Sequence, residues 1–140
     1  MVKVKTITLD IPTKGDTDII NITGEVENAL HEVKLKEGIV NISLVGSTGA
    51  ITTIEYEPAL VKDLKELLEN LIPKQKRYCH DDTWGDANGY AHLRSSILGT
   101  SKTFPVCKGK ISLGTWQQVA LIDFDNRPRQ RKVILQFVGE

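Results

Sequence analysis

The sequence of 140 residues lacks several features that mark whole classes of protein. It has no apolar run near the roughly 18 residues that a membrane-spanning helix needs. Its two cysteines, Cys79 and Cys107, form neither a disulfide framework nor a metal-binding spacing. The formal net charge is zero, and aromatic residues make up only 6%, so neither an attractive field nor a stacking platform for nucleic acid is expected. These absences favour a cytoplasmic protein with free thiols and with neither nucleic acid nor membrane as a partner.

The remaining composition is that of an ordinary globular protein. Hydrophobic residues account for 40% and charged residues for 26% of the chain. A chain of this length is expected to form one domain, here residues 1–140, with a sizeable hydrophobic core. A neutral surface also lowers the barrier to self-association, which favours an oligomer.

Hydrophobic periodicity predicts two main helices and seven strands. The first helix is expected over residues 24–36, with Thr23 as its N-cap and Gly38 as its stop. The second begins at Pro58, carries a leucine face and ends before Pro73. Residues 91–98 fit either a helix or a strand. The predicted strands are residues 2–9, 39–45, 50–56, 103–106, 110–113, 115–124 and 131–138.

Short connections between these strands indicate how they pair. Four residues, Gly46–Gly49, separate the second and third strands and predict a hairpin. Asp125–Pro128 is expected to turn the chain between the last two strands. Parallel neighbours would need long crossovers, so the sheet should be largely antiparallel and the fold class α+β.

The segment from His80 to His92 is the strongest candidate for chemistry. It holds two of the three histidines, three aspartates and an asparagine, with almost no aliphatic residue. Imidazole suits zinc, whereas carboxylates suit magnesium, so His80, His92 and Asp82 are candidate metal ligands. Asp86 is a candidate acid or base. The histidine spacing matches no established zinc motif, and ordinary loop histidines with turn-capping aspartates remain the alternative. His31, in the first predicted helix, carries no functional prediction.

Two glycine-containing sites also allow two interpretations each. Asn88-Gly89 is either a tight turn or a place where a ligand approaches the backbone beside an amide that can donate and accept. The loop containing Ser47 and Thr48 is either a hairpin turn or a set of N–H and hydroxyl groups that contact phosphate.

The C-terminal arginines and a tryptophan complete the candidates. Arg127, Arg129 and Arg131 alternate, so they share one face if the chain is extended, and guanidinium groups match phosphate in bidentate fashion. A solvated rim is the alternative. Trp116 is expected to be structural, in the core or in an interface.

Four segments together resemble the YjbQ family, whose members are described as secondary thiamine-phosphate synthases. They are Gly46–Glu55, Tyr78–Leu98, Gly109–Gln118 and Asp125–Val138, in the same order as in that family. The most specific blocks are Asn-Gly-Tyr-Ala-His-Leu, ending at Leu93, and Leu-Gly-Thr-Trp-Gln, ending at Gln117. Asn-Gly stands here where the family usually has Asn-Ala.

The resemblance implies a compact α+β domain that assembles as a homotrimer with sites near subunit contacts. It implies a thiamine-phosphate synthase that joins a pyrimidine methyl diphosphate to a thiazole phosphate, with a divalent metal, Mg²⁺ or Zn²⁺, at the site. By matching positions, His80, Asn88 and His92 are the expected ligand or acid-base residues and Arg129 the expected phosphate contact. Thr48, Ser47 and Arg131 extend the phosphate-binding set predicted from the residues themselves.

Three functional hypotheses follow from these observations. The first is an enzyme that acts on small phosphorylated heterocycles, specifically a thiamine-phosphate synthase. The second is a metal-dependent enzyme of another substrate, with zinc held by His80, His92 and a further ligand. The third is a phosphorylated-metabolite-binding protein without catalysis.

Overall fold

The computed structural model describes residues 1–140 and contains four helices and eight strands. All strand pairs are antiparallel, which confirms the α+β class with antiparallel sheets. In chain order the elements are β1 (Lys3–Thr13), β2 (Asp18–Asn21), α1 (Thr23–Val33), β3 (Gly38–Leu44), β4 (Gly49–Glu55), α2 (Pro58–Leu71), α3 (Asp81–Trp84), α4 (Gly89–Leu98), β5 (Ser101–Cys107), β6 (Lys110–Ile111), β7 (Gln117–Asp123) and β8 (Arg129–Gly139).

The strands form two sheets rather than one. The larger sheet has the order β1-β8-β3-β5-β6, and the smaller has the order β2-β7-β4. The predicted hairpin between β3 and β4 is therefore wrong, because β3 pairs with β5 and β8 whereas β4 pairs with β7. The loop Gly46–Gly49 instead carries the chain from one sheet to the other. The turn before β8 is confirmed, and it too connects the two sheets.

Two hydrophobic clusters fill the spaces between layers. The first lies between the two sheets and α1, and the second lies between the small sheet and the helices α2 and α4. Strand β7 contributes to both, with Val119 and Leu121 in the first cluster and Ala120 and Ile122 in the second. Because β7 is covered on both faces, its sequence is a continuous apolar run rather than an alternating one.

The helix ends show which capping predictions hold. Helix α2 begins at Pro58 and is capped by the Glu57 carboxylate, which accepts hydrogen bonds from the next two free backbone N–H groups. Thr23 is not the N-cap of α1 but its first residue, because its hydroxyl accepts a hydrogen bond from the backbone N–H of Val119 in β7. Helix α1 ends at Val33, before the predicted residue 36. None of the four helices combines the length and apolar character needed to cross a bilayer.

The segment from residue 78 to residue 98 is more regular than its sequence indicates. It forms the single-turn helix α3 and the ten-residue helix α4, so the open alternative for residues 91–98 is decided in favour of a helix. Helix α4 packs against β4, where the hydroxyl of Ser95 donates to the carbonyl oxygen of Gly49 at 2.6 Å. This contact holds the second half of α4 beside the start of β4, which pairs with the end of β7.

Candidate functional site

The two histidines of the polar segment lie against each other. His80 immediately precedes α3, and His92 lies one turn into α4. Their ring centroids are 4.5 Å apart, with the ring planes tilted by 43°. Nδ1 of His80 is buried and has no hydrogen-bond partner within the chain. An unpaired buried nitrogen is costly, so this atom is suited to meet a ligand.

Asp81 and Gly89 bring the two imidazoles together. The Asp81 carboxylate accepts hydrogen bonds from the backbone N–H of Tyr78 at 3.0 Å and from that of Gly89 at 3.4 Å. A Cβ atom at Gly89 would lie 2.8 Å from Cβ of Tyr78 and 3.3 Å from Cβ of His80. The tight-turn interpretation of Asn88-Gly89 is wrong, because Gly89 opens a helix and its missing side chain admits the histidine segment. The ligand-binding interpretation of the Asn88 amide stays a prediction.

Asn88 connects the histidines to the C-terminal arginines. Its backbone carbonyl oxygen accepts a hydrogen bond from the N–H of His92 at 3.3 Å. Its side-chain Nδ2 donates to Oδ1 of Asp125, also at 3.3 Å, whereas its own Oδ1 is buried without a partner. Asn88 is only 5% exposed, so this oxygen is a second buried polar atom that protein groups leave unpaired.

Arg129 is held by a buried carboxylate but stays accessible. Its Nε and Nη2 donate to Oδ2 of Asp125 at 3.0 and 2.7 Å. The Asp125 side chain is 1% exposed and that of Arg129 is 34% exposed. Burial opposes ionisation of Asp125, but hydrogen bonds from the backbone of Asn126, from Arg129 and from Asn88 lower its pKa to about 2. The pair is therefore ionised at neutral pH.

Arg131 forms a parallel pair deeper in the protein. Its Nε and Nη2 donate to the Asp123 carboxylate, each at 2.8 Å, and Nη2 also donates to the Thr48 hydroxyl at 2.6 Å. Burial opposes ionisation of Asp123, but its hydrogen bonds from Arg131 and Thr13 hold its pKa below the usual value. Arg131 and Thr48 are thus both engaged by protein groups, and their role as phosphate contacts stays a prediction.

A small polar cavity of about 200 Å³ opens beside Arg129. Its lining contains no hydrophobic residue and consists of Asp86, Asn88, Asp125, Asn126, Arg127 and Arg129. Asp86 is exposed at the rim, where its carbonyl oxygen accepts a hydrogen bond from Asn126 at 2.8 Å. Arg127 lies in the turn before β8, so it does not share the strand face of Arg129 and Arg131.

Two predicted site residues remain, Ser47 as a phosphate contact and Asp82 as a metal ligand, and neither joins the other site residues. Ser47 is exposed in the loop between β3 and β4 and does not line the cavity. The exposed Asp82 forms an ion pair with Arg77 instead of approaching the imidazoles as a third ligand.

No group of three or more His, Cys, Asp and Glu residues is arranged to hold a metal ion. Two imidazoles fall short of the three protein ligands of a catalytic zinc site, so the donors of one chain do not fit a resident metal.

Trp116 is not part of the core. Its side chain is 71% exposed in the loop before β7. It also lies at the opposite end of β7 from Asp123, a strand of seven residues that spans about 20 Å. The core interpretation is therefore wrong, and an interface remains as the structural role for Trp116.

Sequence reasoning missed two buried carboxylates, Asp123 and Asp125, of which only Asp125 lines the cavity. Each is the buried partner of an arginine of β8. A signal was present, because Asp125 and Asp123 mirror Arg129 and Arg131 about Arg127. Because β7 and β8 lie in different sheets, the two ion pairs form where the chain crosses from one sheet to the other.

Comparison with known proteins shows the family to which this chain belongs. Residues 7–140 match the family described as UPF0047 protein YjbQ-like. The chain belongs to the YjbQ family. A UPF0047 protein of Archaeoglobus fulgidus is 38% identical over 128 residues, which cover 91% of this chain and 97% of the relative. The YjbQ-family protein YugU of Bacillus subtilis is 32% identical and covers 94% of this chain and 98% of its own length.

Two solved structures share the whole fold of this chain. A YbjQ-like protein of unknown function from Sulfolobus solfataricus superposes with a TM-score of 0.94 at 28% identity, covering 100% of both chains. A hypothetical protein from Aeropyrum pernix superposes with a TM-score of 0.91 at 32% identity, covering 97% of this chain and 99% of its own. The resemblance in sequence thus extends to the entire tertiary structure.

Proposed function

We propose that this protein binds a small phosphorylated heterocycle beside Arg129 and catalyses a transfer in which diphosphate leaves. The specific reaction is thiamine-phosphate synthesis, the joining of a pyrimidine methyl diphosphate to a thiazole phosphate in the cytoplasm. One observation carries the proposal. Asn88, which keeps a buried side-chain oxygen without a protein partner, and the partly exposed Arg129 line one cavity that has no hydrophobic residue in its wall. Asn88 also accepts a hydrogen bond from the backbone of His92, whose ring lies against that of His80.

The chemistry of that reaction suits these groups. The bond from the pyrimidine methylene carbon to the diphosphate oxygen breaks, and negative charge develops on the departing oxygens. The free N–H groups of Arg129 stabilise that charge, and an imidazolium at His80 or His92 donates a proton to it. The thiazole nitrogen that attacks the methylene carbon has no proton to lose, so its position matters more than a base.

The test is to incubate the purified chain with both substrates and follow thiamine phosphate by chromatography. Arg129→Met and His92→Ala should each lower the rate by at least about a hundredfold, because each removes a group that meets the leaving diphosphate. His31→Ala is the matched control, since His31 is exposed on α1 and outside the site. No product from the unaltered chain, with or without added Mg²⁺, refutes the reaction, whereas unchanged rates in both site variants refute the site.

The paired imidazoles favour one alternative function, a zinc-dependent enzyme of another substrate. His80 and His92 are close enough to act together, but a further ligand would have to come from outside this chain. Elemental analysis after dialysis separates the alternatives: stoichiometric zinc that His80→Ala abolishes supports the metal enzyme. Binding of diphosphate without turnover would instead support a metabolite-binding protein.

We also propose that the chain acts as a homotrimer. Several apolar side chains on α2 and α4 remain exposed in the single chain, among them Leu67, Leu71 and Ile97. With Trp116 they offer surface that association would remove from water. Light scattering coupled to size-exclusion chromatography tests this proposal, and a mass of a single chain would refute it.

A further inference from the structure

Asp125 accepts more hydrogen bonds than any other side chain in the candidate site. Its Oδ1 accepts from Nδ2 of Asn88 at 3.3 Å and from the backbone N–H of Asn126 at 2.9 Å. Its Oδ2 accepts from Thr48 at 3.1 Å and from two nitrogens of Arg129 at 3.0 and 2.7 Å. Five donors saturate a carboxylate, which offers about four lone-pair sites. Asp125 therefore has no capacity left to act as a base or to meet a substrate.

The carboxylate determines which way the Asn88 amide faces. An ionised carboxylate only accepts hydrogen bonds, so the NH₂ group of Asn88 must point toward Asp125. The carbonyl oxygen Oδ1 is then directed away, and it is the buried oxygen without a partner. A ligand that satisfies it has to offer an N–H or O–H group.

The same carboxylate determines which N–H groups of Arg129 are free. Nε and one N–H of Nη2 point toward Asp125, and no protein group accepts from Nη1. These remaining donors belong to a side chain that is 34% exposed at the cavity. Arg131, by contrast, is anchored in the same way to Asp123 but is only 8% exposed. Of the two pairs, only Asp125–Arg129 presents donors to a ligand.

We propose that Asp125 is a positioning residue, which orients the free N–H groups of Arg129 and the free oxygen of Asn88 toward one ligand. The ligand class follows: an anionic group for the guanidinium, joined to a hydrogen-bond donor for the amide oxygen. This inference rests on the proposed function for the role of the site, but the orientation itself is testable without any substrate.

The first test uses Asp125→Asn, with Asp123→Asn as the matched control, since each variant alters one of two similarly buried aspartates. Nitrogen-15 NMR of the full chain follows the side-chain N–H signals of Arg129 and Asn88. Both signals should exchange slowly with water in the unaltered chain and in Asp123→Asn, and both should be lost in Asp125→Asn. Signals that persist in Asp125→Asn would overturn the proposal.

A second pair of variants avoids altering Asp125, in case that change prevents folding. Because Asp125 holds each partner separately, Asn88→Ala should leave the Arg129 Nε signal protected. Arg129→Met should likewise leave the Asn88 amide protected. Loss of either signal would show that the two side chains depend on each other rather than on Asp125.

Titration with inorganic diphosphate by calorimetry links orientation to binding. If the site works as proposed, Asp125→Asn weakens affinity by about tenfold or more, as is typical when an orienting partner is removed. Asp123→Asn should stay within about twofold of the unaltered chain. Equal or tighter binding by Asp125→Asn would contradict positioning, since it would show that the carboxylate merely neutralises Arg129. Absence of diphosphate binding by the unaltered chain contradicts the proposed function, whereas the NMR result still decides the positioning role.

Discussion

The acid sensitivity of this fold should depend measurably on Asp125. Its pKa is about 2 in the folded protein, against 3.8 for an unperturbed aspartate. A group whose pKa is lowered by folding stabilises the folded state above its unfolded pKa, and this contribution disappears as pH falls through the folded value. This lowering of the pKa corresponds to roughly 2 kcal/mol of the free energy of unfolding at neutral pH, since one pKa unit is worth about 1.4 kcal/mol.

The expected loss can be measured with a variant that cannot titrate at this position. Between pH 6 and pH 3 the contribution of Asp125 falls by about 1 kcal/mol, because the unfolded state takes up a proton that the folded state still excludes. Urea unfolding followed by far-ultraviolet circular dichroism at both pH values gives the free energy of unfolding of the unaltered chain and of Asp125→Asn. Asp123 titrates in both proteins, so its effect cancels in the comparison.

The unaltered chain should therefore lose about 1 kcal/mol more than Asp125→Asn over this pH range. The variant is expected to be less stable at pH 6, and the gap should narrow at pH 3. Parallel pH dependences would refute the reasoning, because they would mean that Asp125 has the same pKa in the folded and unfolded chains.

Three further predictions concern packing and assembly. Arg131→Met should destabilise the fold by about 3–5 kcal/mol in urea unfolding, since it leaves the buried Asp123 charge unpaired; a cost no larger than that of Arg129→Met would contradict the burial difference between the pairs. Gly89→Ala should cost about 1–3 kcal/mol by the same measurement and should weaken diphosphate binding, because its Cβ displaces the segment carrying His80; unchanged binding would show that this displacement does not reach the site. Trp116→Ala should change the far-ultraviolet spectrum little but lower the mass in solution, and an intact trimer would place Trp116 outside the subunit contact.

The secondary structure was largely readable from local pattern. Alternation in β1 and β3, together with Pro58 and Pro73 around the leucine-rich α2, predicts elements close to those observed. The polar segment from His80 to His92 was identified as a place for chemistry because it contains so little that could pack. The sequence does not decide between helix and strand for the residues of α4, because the buried positions of this helix are occupied by residues such as Gly89, Arg94 and Ser95, which do not produce an apolar stripe.

Pairing and burial were decided by contacts between distant parts of the chain. A short loop such as Gly46–Gly49 predicts a hairpin from spacing alone, but both edges of β3 are taken by β5 and β8. Contacts between distant residues also decide which aspartates bond to other residues of the candidate site. Asp125 accepts a hydrogen bond from Asn88 and Asp81 accepts one from Gly89, whereas Asp86 lies at the rim of the cavity and Asp82 faces solvent.

The amino-acid sequence by itself determined the family, the α+β class and the side chains available for chemistry, because these follow from local pattern and residue type. Only the tertiary structure decided that Arg129 opens to a cavity while Arg131 is buried. Both arginines lie on the same face of β8, but Arg131 is hydrogen-bonded both to Asp123 at the end of β7 and to Thr48 in the loop before β4, whereas Arg129 is hydrogen-bonded to Asp125. Burial of a charge is a property of its neighbours in space, which periodicity along one strand does not encode.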